Sequence, residues 1–133
     1  MDLAFVNPPG VHAPAGQYSH LARIDLPGGG TLLFVSGQVA LDEQGKIVGK
    51  GDVAEQAEQV YVNLKRVLAS QGATFRDIVK MTVFVTEIAY RGQICDVRAR
   101  HLGDAAPPST FVEVSALAHD DLRVEIECIA VIR

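Results

Sequence analysis

The amino-acid sequence predicts an α+β domain in which two helices cover one face of a mixed β-sheet. Two observations carry this fold class. Stretches of alternating apolar residues recur along the chain, and the last of them, Arg123–Ile132, is the clearest. Between them lie one strongly marked helix, Asp52 to Gly72, and a weaker helical stretch at 90–102, giving the order β-β-α-β-α-β-β. The 133 residues suit one domain spanning 1–133, long enough to bury a core without staples. No internal repeat or linker interrupts it.

Residues 1–16 include Pro8, Pro9, Gly10, Pro14 and Gly16 and are expected to be extended or irregular. Tyr18–Ile24 is the first strand, and Pro27-Gly28-Gly29-Gly30 closes it as a hairpin turn. That glycine run lacks the Lys-Ser/Thr pair and the helix that would grip a phosphate. Thr31–Leu41 is strand-like, with Ser36-Gly37-Gln38 inside it. A glycine there marks a bulge or a close approach to the backbone. Ser36 stands outside any Gly-x-Ser-x-Gly elbow, so a serine hydrolase has no support. Asp42–Gly45 is a turn and Lys46–Val48 a short strand at most.

Asp52 is a good N-cap, Glu55 completes a capping box, and Gly72 supplies the C-terminal stop. Val53, Ala57, Val60, Leu64, Val67 and Leu68 then form one apolar stripe that must lie on a sheet. Ile78–Thr86 is a Val- and Thr-rich strand. The helix from about Tyr90 to Leu102 buries Ile94, Val97 and Leu102, and Gly92 weakens its first turn. Two strands end the chain, Thr110–Val114 and Arg123–Ile132, joined through a polar turn at His119-Asp120-Asp121.

In the last strand Val124, Ile126, Cys128, Ala130 and Ile132 alternate with Glu125, Glu127, Ile129 and Val131. The two carboxylates share a face, where they need solvent, a cation or a cleft, because burying an unpaired carboxylate is expensive. That face is where chemistry is sought. Two helices leave the other side of the sheet bare although the strands are apolar on both sides. Such a patch implies homo-oligomerisation through the sheet, with clefts where subunits meet.

A net charge of -4 argues against a general nucleic-acid or membrane-surface binder. No apolar run approaches the roughly 20 residues that span a bilayer. The start, MDLAFVNPPG, does not have the form of a signal peptide, and Cys95 and Cys128 make no disulfide framework; a cytoplasmic location is expected. His12, His20, His101 and His119 show no metal-ligand spacing and are expected on the surface or in loops. Cys95 has no recognisable histidine partner, and Cys128 falls on the aliphatic side of its strand as a small hydrophobe.

GQYSH at 16–20, FVSGQVALDEQGKIVG at 34–49, EQAEQVYVNLKRVLASQGATFRDIVKMTVFVTEI at 55–88 and the closing RVEIECIAVIR together resemble the Rid (RidA/YjgF) family of reactive-intermediate deaminases. The resemblance implies a chorismate-mutase-like, YjgF-type fold assembled as a homotrimer with ligand clefts between subunits. It implies hydrolysis of enamines and imines to 2-oxo acids and ammonia, with no metal or cofactor. By the same resemblance Tyr18 is the aromatic wall of the cleft, Gly37 its backbone contact and Glu125 the carboxyl that positions water. Two positions depart from the family pattern: Ser109 stands where the family has a carboxylate-binding arginine, and Cys95 where an asparagine is usual. Losing such a charged bond costs a substrate about 1.5–3 kcal/mol. Arg23, Arg91 and Arg123 are the replacement cations considered. The expected ligand is a small metabolite bound by an enzyme of this type or, alternatively, by a non-catalytic regulatory trimer. Ribonuclease action, attached to some relatives, suits neither the acidic balance nor the lack of a basic, aromatic-rich surface.

Overall fold

The computed structural model describes every residue from Met1 to Arg133. Eight elements follow in the order β1 (Asp2–Val6), β2 (Leu21–Asp25), β3 (Thr31–Gln38), α1 (Val53–Ala69), β4 (Ile78–Val85), α2 (Arg91–Leu102), β5 (Ser109–Glu113) and β6 (Val124–Ile132). The strands make one six-stranded sheet, ordered β1-β2-β3-β6-β4-β5. Only β4 and β5 are parallel; the other neighbours are antiparallel. Both helices pack against one face, over a core that includes Leu33, Leu64, Met81, Ile94 and Ile126.

The strongest local signals give the expected elements. Asp52 caps α1 by accepting the Glu55 amide at 3.1 Å. The return bond from the Glu55 carboxylate is absent, so the capping box is half made; a complete one forms instead at Thr74 and Asp77. Gly72, at φ 77°, ends the helix, with its amide on the Ala69 carbonyl and that of Ala73 on Leu68. Every residue of the expected α1 stripe is buried. Gly28, Gly29 and Gly30 form the β2–β3 hairpin turn, all at positive φ.

Two expectations are corrected. Asp2–Val6 is a strand, not irregular chain, because its backbone pairs with β2; its exposed side chains leave little local signal. The first predicted strand begins at Leu21 rather than Tyr18; Gln17–His20 is irregular chain, held by the Ser36 amide on the His20 carbonyl and the Ser36 hydroxyl on the Ser19 carbonyl. Lys46–Val48 stays within the short strand at most that was expected, forming an isolated bridge, Leu41 to Ile47. His12 and His20 lie in the loop between β1 and β2, as one arm of the expectation had it, and are buried there with backbone or amide partners. The two C-terminal strands, joined through the polar turn, are not neighbours in the sheet. β5 lies outside β4 at the sheet edge, and β6 runs between β3 and β4.

Candidate functional site

β6 separates two environments by simple alternation. Val124, Ile126, Cys128 and Ala130 lie under the helices, and the Cys128 thiol, buried there, is pushed up to about 12. Glu125 and Glu127 face the opposite, uncovered side. Glu125 is half-buried between Phe84, its cross-strand partner on β4, and the backbone of β3.

A bulge in β3 makes that fit. The register with β6 shifts between Val35 and Gln38, so Ser36-Gly37 carries one extra residue past Glu127. Gly37 lies so close to Glu125 that a Cβ there would sit 2.6 Å from Oε1. A side chain at 37 would push the Glu125 carboxylate aside, so the glycine keeps that carboxylate in place. Behind the bulge, the Gln38 amide donates to the Ser36 carbonyl at 3.1 Å and to His20 Nδ1 at 3.1 Å. His20 Nε2 in turn donates to the His12 carbonyl at 2.7 Å, which fixes the neutral tautomer. Burial holds the His20 pKa below the usual histidine range.

Neither Glu125 nor Glu127 has a cationic partner in the chain. Burial raises the Glu125 pKa first, and the charge of Glu127 raises it further. A half-buried carboxyl with a raised pKa and no counter-ion is a candidate for taking up and releasing protons. Tyr18, on the loop before β2, is 44% exposed; its hydroxyl accepts the Ala15 amide at 3.2 Å. With Ser36, Phe34 and Glu127 it lines a depression of about 820 Å³ on the uncovered face. Tyr18, Gly37 and Glu125 therefore share one side of the sheet.

Cys95 and Ser109 belong to the other side. Ser109 is in register with Met81, which pairs with Cys128, and both of those are buried beneath the helices. Arg98 of α2 confirms the direction of the serine, donating from Nη1 to Ser109 Oγ at 2.8 Å. Cys95 and Arg98 are three residues apart and share a helix face. Arg91, one turn before Cys95 on that face, sits over the Phe111 ring of β5 at 6.0 Å. The sheet thus separates Cys95 and Ser109 from Glu125 within one protomer.

Of the three arginines considered from sequence, Arg23 is paired with Asp25 at 2.9 Å and Arg123 is occupied by the Asp120 and Leu122 carbonyls. Arg91 remains at the rim over Phe111. Arg98 escaped notice, although its place three residues after Cys95 was a usable signal. No three His, Cys, Asp or Glu side chains converge as a metal site would require, and no helix is long and apolar enough to cross a membrane.

Residues 10–132 match the family model described as endoribonuclease L-PSP. The chain belongs to this family, the Rid/YjgF family. DfrA of Myxococcus xanthus is 39% identical over 116 residues, covering 87% of this chain and 86% of that protein. The mouse 2-iminobutanoate/2-iminopropanoate deaminase is 33% identical over 121 residues, 90% of this chain and 85% of the relative. The crystal structure of Escherichia coli TdcF with bound serine superposes with a TM-score of 0.84 at 28% identity, covering 98% of this chain and 99% of that one. The mixed sheet with two helices on one face is therefore the YjgF-type fold of the Rid family, as the motifs implied.

Proposed function

We propose that this Rid protein is a cofactor-independent hydrolase of small imines or enamines, working in clefts between the subunits of a homotrimer. The observation that carries the reading is Glu125: half-buried, raised in pKa, without a counter-ion and held against the glycine bulge. The name of the mouse relative supports the reaction class. The separation of Glu125 from Ser109 supports the assembly. The uncovered face of one copy, bearing Tyr18, Gly37 and Glu125, requires the β5 edge of another to complete a pocket.

In this reading the substrate is a 2-imino acid, or an enamine after tautomerisation. Water adds through its oxygen to the imine carbon while Glu125 accepts a proton from it. The same carboxyl passes that proton to nitrogen, then carries the proton of the new hydroxyl to the departing nitrogen as the carbon–nitrogen bond breaks and the carbonyl forms, so ammonia leaves a 2-oxo acid. Tyr18 closes the wall against bulk water. Freshly generated 2-iminopropanoate and 2-iminobutanoate should release ammonia and 2-oxo acid faster with the protein than without it. Glu125→Gln should lose about 100-fold or more of that rate while remaining folded. A Glu125→Gln protein with the native rate refutes the assignment. Ser109, where the family pattern has an arginine, favours a second reading, a non-catalytic ligand-binding trimer; binding of 2-oxobutanoate without turnover of either imine would select it.

A further inference from the structure

We propose that Arg98 is the carboxylate-binding cation of this protein, presented from α2 and steadied by the Ser109 hydroxyl at the edge of β5. The inference rests on the small-metabolite cleft described above and names the group that recognises the acid end of its ligand.

Arg98 differs from most arginines of the chain in its company. Arg23, Arg66, Arg76 and Arg100 are each paired with a carboxylate, and Arg123 bonds to carbonyls. Arg98 has intermediate exposure, and its hydrogen-bond partner is an uncharged hydroxyl. A partly desolvated guanidinium without an anion is costly, and an arriving carboxylate offsets that cost. One N–H is taken by Ser109, so other donors of the planar fork are free for two-pronged binding. The hydroxyl accordingly serves as a bracket. It occupies one N–H and orients the rest, which a longer side chain at 109 would not allow.

The surroundings fit a small acid. Cys95 lies on the same helix face, and the Phe111 ring, two residues along β5 from Ser109, gives an apolar floor. Tyr61, fully buried and with a hydroxyl that has no hydrogen-bond partner, lies within range of the Arg98 charge. No acidic side chain bonds to Arg98 to neutralise it in advance. The ligand class is a 2-oxo or 2-imino monocarboxylate short enough to reach from Arg98 to the Glu125 of a neighbouring copy.

The test compares 2-oxobutanoate with its neutral analogue 2-oxobutanamide, titrated into the intact protein by calorimetry or NMR. The native protein should prefer the carboxylate by about tenfold or more, the share of a charged hydrogen bond. Arg98→Gln should erase that preference and leave amide binding within about twofold. The KM for 2-iminobutanoate should rise about tenfold in the same variant with kcat nearly unchanged, since ground state and transition state share the carboxylate contact. An Arg98→Gln protein that keeps the native preference overturns the assignment, even if the deaminase reading stands. A native protein that neither binds 2-oxobutanoate nor turns over either imine overturns the cleft reading itself. Should Arg98→Gln fail to fold, Arg98→Lys decides, because losing the planar fork must weaken the carboxylate about fivefold and spare the amide.

Discussion

Along β6 the same backbone serves two different purposes. Toward the helices it presents Val124, Ile126, Cys128 and Ala130, all buried in the core. Toward the open side it presents Glu125, Glu127, Ile129 and Val131, none of them fully buried. Neighbouring strands continue the contrast. Leu33 and Val35 of β3 are buried under α1, whereas Phe34 between them is 42% exposed, in one row with Ala22, Phe5 and Ile129. The helix face is complete in one chain, but the open face exposes apolar side chains beside carboxylates without cationic partners, the surface to which the proposed assembly is assigned. The packed core thus lies on one side of the sheet and the half-buried Glu125 on the other.

That comparison is sharpened first by truncating the core. Leu64→Ala should cost about 2–5 kcal/mol, because α1 cannot fully collapse into the space left by a fully buried leucine. Chemical denaturation followed by circular dichroism reads the loss. A cost under 1 kcal/mol would mean that the helix face is looser than its burial implies.

On the open face the expected effect is smaller for the protomer but decisive for the assembly. Phe34→Asp places a charge in the middle of the apolar row and, if copies meet through this face as proposed, should yield smaller species than the native protein by light scattering. The secondary structure should survive, with protomer stability changed by about 0.5 kcal/mol. An unchanged mass would show that copies meet elsewhere.

The smallest effect concerns pH. His20 is buried and neutral, with a folded pKa below its ordinary value of 6.5. Between those two values the unfolded chain binds more protons than the folded one, so stability rises with pH in that window. The contribution is fully present above about 6.5 and is lost as pH falls toward the depressed folded value. His20→Gln should flatten that part of the stability profile. A native profile without any slope there would remove His20 as its source.

Much of the fold was legible because it rests on neighbours in sequence. A capping aspartate, a stop glycine and a stripe at spacings of three and four define α1 whatever packs on it. Period-2 alternation assigned the two faces of β6, and a glycine inside a strand announced the β3 bulge. The candidate site was legible only in part. Glu125 and Gly37 stood out as pattern breaks, but that they touch depends on a pairing between strands some 90 residues apart.

Local chemistry along the chain therefore determined the element types, the buried stripe of α1 and the family of this protein. Tertiary structure decided the pairing of β1, the place of β5 outside β4 and the meeting of Arg98 with Ser109. It also buried His12 and His20 within the loop before β2. The reason is the same in each case. Caps and periodicities are written within a few residues, whereas strand order and side-chain partnerships arise when distant segments compete for the same sheet edge and the same buried space.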